Sequence, residues 1–99
     1  MTYRIEYSPE AEEHLRVLTA RQRVIVTDTI DRRLDRRPTV RTRNRRPMRP
    51  NPVAPWELRI GSLRVYYDVS EEPERVVCIL AVGVKRRNRL RVGKRVIKL

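Results

Sequence analysis

Only one residue of the chain is cysteine, Cys78, and only one is histidine, His14. A single cysteine excludes an intramolecular disulfide and a cysteine-based zinc site. A single histidine excludes a nuclease built on a histidine pair. Cys78 lies inside the apolar run of residues 76–84, where a buried, inert thiol is the expected state. His14 falls in the acidic part of the chain and is expected on a solvated helix face. No apolar stretch approaches the length of a bilayer span, and the opening MTYRIEYSPE lacks a signal-peptide pattern. A cytoplasmic location is therefore expected, with no metal and no cofactor.

What is present is positive charge. The chain carries 24 Lys and Arg against 12 Asp and Glu, a net +12. The distribution is uneven, with −2 over residues 1–31 and +14 over residues 32–99. That asymmetry points to a directed polyanion-binding surface, not a uniformly basic coat. Lysine occurs only at Lys85, Lys94 and Lys98, and the other 21 basic residues are Arg. Guanidinium groups make planar, forked contacts to phosphate, which suits nucleic acid. A GC-rich genome would produce the same bias.

The 99 residues supply one domain, residues 1–99, with a single core. Tyr3, Ile5 and Tyr7 alternate with Arg4 and Glu6, the pattern of a short strand. Ser8 then caps a helix that begins at Pro9, and Glu10, Glu12 and Glu13 favour its positive end. Ala11, Leu15 and Leu18 form its apolar stripe. Thr19 and Gln22 fit the capping box of a second helix, whose stripe is Val26, Ile30 and Leu34 with Val24 and Ile25 alongside. Pro38 ends that helix near Arg36 or Arg37. Nine of residues 32–49 are Arg, and prolines 47, 50, 52 and 55 follow, so an extended loop is predicted. Trp56, Leu58 and Ile60 then alternate with Glu57 and Arg59, and the turn Gly61-Ser62 leads to Leu63, Val65, Tyr67 and Val69 alternating with Arg64, Tyr66 and Asp68. Residues 76–82 are apolar throughout, as a central strand would be. A basic tail docks partly on the sheet. The fold class is α+β: an N-terminal strand, a helical hairpin and an antiparallel β-meander.

The opening YRIEYSPEAEEHL, the segment PWELRIGSLRVYYDV (residues 55–69) and ILAVGVKRRNRL (residues 79–90) resemble the RelE/ParE superfamily of type II toxins. The resemblance runs over nearly the whole chain. It implies a toxin held inactive by a small antitoxin with an acidic segment. In the RelE branch such toxins are ribosome-dependent endoribonucleases that cut messenger RNA. In the ParE branch they inhibit DNA gyrase. The RelE-like reading is preferred here, and a nucleic-acid-binding module without activity is the third option.

The resemblance also assigns residues. Arg64 matches a phosphate-binding arginine, and Lys85, two residues after Gly83, matches a second catalytic arginine, with Arg86 able to share that role. Arg59 aligns with one of two lysines on the preceding strand. For Arg59, Lys85, Arg86 and Arg87 a basic rim gripping RNA backbone stands beside direct catalysis. Arg89, Arg91, Arg43, Arg45 and Arg46 complete the expected RNA-binding set, and Tyr66 is a candidate for stacking on a base. Two positions depart from the RelE pattern. Glu57 stands where a lysine would be, and Arg91 where a tyrosine would be. Glu57 is expected to pair with Arg59 or Arg64. Trp56 is expected in the core.

Overall fold

A computed structural model describes residues 2–97. Strand β1 (Arg4–Tyr7) leads into helices α1 (Pro9–Val17) and α2 (Ala20–Arg33). Six strands follow: β2 (Arg45–Pro47), β3 (Trp56–Ile60), β4 (Leu63–Ser70), β5 (Val76–Arg86), β6 (Arg89–Val92) and β7 (Arg95–Ile97). They form one sheet in the order β2-β3-β4-β5-β6-β7, antiparallel throughout, while β1 pairs in parallel with β5. The architecture is the α+β arrangement read from the sequence.

The helix starts follow from their caps. The Ser8 hydroxyl accepts from the Ala11 N–H at 3.0 Å, and Thr19 and Gln22 form a reciprocal capping box. Val26, Ile30 and Leu34 are buried against the sheet, with Leu58, Val65, Tyr67, Val77, Ile79 and Val82 opposite them. Val24 and Ile25 do not join this stripe. They are 57% and 39% exposed, because at 100° per residue they rotate away from the buried line. Trp56 packs at the margin of the core and stacks on Tyr67, ring centroids 6.2 Å apart.

The β5 strand is long enough to need two neighbours on one edge. β1 pairs with residues 76–79 and β6 with residues 83–86. Between them the ladder breaks, and a bulge leaves Leu80 without a partner in β4, since Tyr66 pairs with Ala81 and Tyr67 with Ile79. The extra residue lets Ile79 and Val82 both face the helices while Leu80 and Ala81 join a second cluster on the opposite face. The uncovered backbone of this gap is satisfied by side chains. Ser8 donates its hydroxyl to the Leu80 carbonyl at 3.3 Å, and the Val82 N–H donates to His14 Nδ1 at 3.2 Å.

His14 is thus a gap-filling histidine and not the solvated one expected from sequence. Its ring also lies against Gly93, where an added Cβ would stand 3.0 Å from Cδ2. Gly93 has φ +61°, so both its backbone and its neighbour require glycine. Burial lowers the His14 pKa, opposed by the carboxylates of Glu10 and Glu13. A folded-state pKa below the unfolded value means that the unfolded chain binds the proton more readily. The stabilisation from His14 is therefore complete above about pH 6.5 and is lost as pH falls through the folded pKa. Urea unfolding measured at intervals from pH 7.5 to 5 should show stability declining with acid, and His14→Gln should flatten that decline. An unchanged slope in His14→Gln would rule out this role.

The arginine-rich stretch differs from the extended loop predicted. Residues 45–47 form β2, paired with β3 through Arg45↔Leu58 and Arg46↔Glu57. The connection before β2 is pinned at three points. Tyr67 donates its hydroxyl to the Pro38 carbonyl at 2.6 Å, and Arg45 donates to the carbonyls of Val40 at 2.7 Å and Arg33 at 2.5 Å. Arg33 ends α2, so the Arg45 charge meets the negative end of that helix.

Candidate nucleic-acid interface

The helices cover one face of the sheet, and strand alternation sends the other set of side chains to the free face. Cross-strand register groups Arg46 with Glu57, Glu57 with Tyr66, Arg59 with Arg64, and Lys85 with Leu90 on that face. The 48–55 connection and the β6–β7 hairpin rise on either side, so that the free face becomes a groove of about 710 Å³. Arg46 and Arg49 stand on one wall and Lys85 and Asn88 on the other, with Glu57 and Tyr66 at the floor.

Glu57 organises the floor. Its side chain is 6% exposed, and Oε1 accepts from Arg59 Nε at 2.9 Å and from Arg46 Nε at 3.2 Å. Burial pushes its carboxyl up, but hydrogen bonds from Arg59 and Tyr66 and the charges of Arg59 and Arg46 outweigh burial, so the net shift is downward. Glu57 is an anion at neutral pH with its charge already matched. The expected partner Arg59 is present, and Arg46 takes the place of Arg64. Burial, with the neighbouring Glu57 carboxylate, drives the Tyr66 phenol far above its ordinary value. Tyr66 stays protonated.

The predicted residues separate into groups. Arg46, Arg59, Arg64, Tyr66 and Lys85 share the free face. Tyr66 is 1% exposed and packs with Ala54, Ala81, Leu90 and Val92, so its ring is held in the protein and does not offer the stacking surface expected of it. Arg64 points to the free face but folds onto the β3–β4 turn. Its Nη1 donates to the Gly61 carbonyl at 2.6 Å and the Leu63 carbonyl at 2.9 Å, and its Nε is buried without a partner among the described residues. Arg86, Arg89 and Arg91 lie on the opposite face of the β5–β6 hairpin from Lys85, lining a second hollow with Val84 and Val96. Lys85 and Arg86 therefore do not converge on one phosphate. Arg87 occupies the hairpin tip at φ 57°, a left-handed conformation that a non-glycine residue adopts at some cost. Arg43 is exposed before β2, whereas Arg45, expected as an RNA contact, is buried beneath that loop because alternation turns it to the helix side.

Sequence reasoning did not pick out Arg49 or Asn88, and Asn88 has no signal beyond its place in a two-residue turn. Cys78 is half-buried, and burial together with the Glu6 and Asp68 carboxylates raises its pKa, which leaves it a poor nucleophile. Among the described residues no three His, Cys, Asp or Glu side chains converge as a metal site would require, and no helix is long and apolar enough to cross a membrane.

Comparison with known proteins bears on the family and the fold. Residues 5–89 match the family described as ParE toxin of type II toxin-antitoxin system, parDE. Among solved structures, the chain is similar to one in the toxin-antitoxin complex RelBE2 from Mycobacterium tuberculosis, at 25% identity and a TM-score of 0.73. That alignment covers 86% of this chain and 100% of the other. No curated protein matches the sequence.

Proposed function

From the premise that the chain belongs to the ParE toxin family of type II toxin–antitoxin systems, within the RelE/ParE superfamily, we propose that it engages RNA on the ribosome and cleaves messenger RNA there until an acidic antitoxin segment neutralises it. The observation that carries this reading is the groove on the free sheet face, with cations on both walls. Attack of a 2′-hydroxyl on its own phosphate breaks the bond to the 5′-oxygen and leaves a cyclic phosphate and a 5′-hydroxyl. The step needs stabilisation of the extra phosphorane charge, and fixed cations supply this without reorganising during reaction. Lys85 and Arg46 both line the groove. In this reading the Lys85 ammonium supplies the proton to the departing 5′-oxygen.

Gyrase inhibition is the second reading, favoured by the ParE family match and by the state of the site. The Arg64 guanidinium is engaged with backbone carbonyls, and Arg86 is on the far face, so the cleavage set implied by the RelE branch is not assembled. Induced expression in a sensitive host separates the two. We expect amino-acid incorporation to fall and new 5′ ends to appear within translated messages, with both effects lost in an Arg46→Ala, Lys85→Ala variant of equal abundance. Continued translation with filamentation and a DNA-damage response would replace this reading with the second. Absence of any growth defect would overturn both.

A further inference from the structure

We infer that Glu57 is a positioning residue that sets Arg46 and Arg59 as a paired fork for one phosphodiester group. The inference rests on the nucleic-acid reading of the groove but not on cleavage. Both arginines reach Glu57 Oε1 through Nε alone. Among the described residues neither makes another side-chain hydrogen bond, so four terminal nitrogens remain free to donate. A hydrogen bond at Nε restricts the swing of a guanidinium plane, so its two outer nitrogens favour one direction. Two guanidinium groups would repel each other at this separation. The nearly buried carboxylate between them offsets that repulsion, and the three groups together keep a net positive charge toward an anion approaching the outer edges.

The ligand chemistry follows from the surroundings. Arg46 lines the groove, and Arg59 continues the same face one strand further along. Lys85 and Arg49 add charge at other points of the groove, as a chain with regularly spaced anions would require. The Asn88 side-chain amide also lines the groove, a donor and acceptor suited to a base edge. A single-stranded nucleic-acid backbone is the occupant these features fit. RNA and DNA share the phosphodiester, and the experiment includes both.

The test exploits an opposition of signs. Glu57→Gln makes the protein more positive, so bulk electrostatics alone would tighten binding to a polyanion. A positioning role gives the reverse. Purified protein is titrated with fluorescent 12-nucleotide RNA and DNA oligomers between 50 and 200 mM salt, and thermal unfolding is followed in parallel. Glu57→Gln is expected to weaken RNA binding by roughly tenfold through lost pre-organisation and to flatten the salt dependence. Arg59→Lys keeps the charge but not the fork, and should weaken binding comparably. Arg59→Ala should lower the salt slope by about 0.7, as for one single-strand phosphate contact. Equal or tighter binding by folded Glu57→Gln overturns the inference, as does wild-type affinity in Arg59→Lys. DNA bound tenfold or more tightly than RNA would retain the fork but overturn the RNA reading. Failure of the folded wild-type protein to bind either oligomer would overturn both, and RNA binding without message cleavage would count against the proposed function alone.

Discussion

Gly83→Ala is expected to lower the free energy of unfolding by about 2–3 kcal/mol, within the range of overpacked buried sites, and Gly83→Val is expected to detach the β6–β7 hairpin from the sheet. Gly83 is buried at the crossing of β5 and β6, paired with Val92. A Cβ there would stand 2.6 Å from the Arg91 carbonyl oxygen and 2.9 Å from Val92 Cγ2. The valine methyl could rotate away, but the carbonyl belongs to backbone and could retreat only if the strand moved. Such movement would also displace Leu90 and Ile97, which form part of one side of the groove. Urea denaturation gives the stability change, and amide exchange locates it, with β6 and β7 losing protection before β3 and β4. A Gly83→Ala protein with the wild-type urea midpoint would mean that β6 is not held this closely.

Arg45→Ala is expected to destabilise the fold by about 3 kcal/mol, the sum of two charge-assisted hydrogen bonds at the lower end of their range. The same change at Arg43 should fall within about 0.5 kcal/mol, as at other exposed sites. The two arginines are separated by a single residue, yet Arg45 is 9% exposed and bridges the carbonyls of Val40 and Arg33 while Arg43 is exposed. Arg45→Lys should not restore the loss, because one ammonium does not reproduce the span of a guanidinium. Chemical denaturation of the three variants is sufficient. Similar stability in Arg45→Ala and Arg43→Ala would contradict the anchoring of the 34–44 connection described above.

The helices, the two strands β3 and β4 and the turn between them were legible because each depends on local chemistry. Ser8 and Thr19 cap within four residues of their own position, and side chains alternate between the two faces along β3 and again along β4. What was not legible depends on distant partners. β2 is three residues long, contains Pro47 and carries two arginines, so neither propensity nor hydrophobic period marks it. Once β2 is recognised, the fates of Arg45 and Arg46 follow from the period of two. The same rule separates Lys85 from Arg86, which the family resemblance had grouped together. His14 was misjudged for another reason. Its environment is created by a gap between β1 and β6, which are far apart in sequence, and no local pattern announces an unfilled backbone donor at Val82. The floor of the groove was partly legible, since Glu57 was paired with Arg59 by proximity on one strand. Arg46 needed the third strand.

Two of the sheet's outer strands, β2 and β7, are each three residues long. On one border Pro47 offers no N–H to a newcomer, and on the other Arg95 opens the strand with a charge. An open β-sheet would ordinarily invite edge-on pairing between copies of itself. Here two of the flanks offer such pairing little length to build on, and each carries a residue that disfavours it.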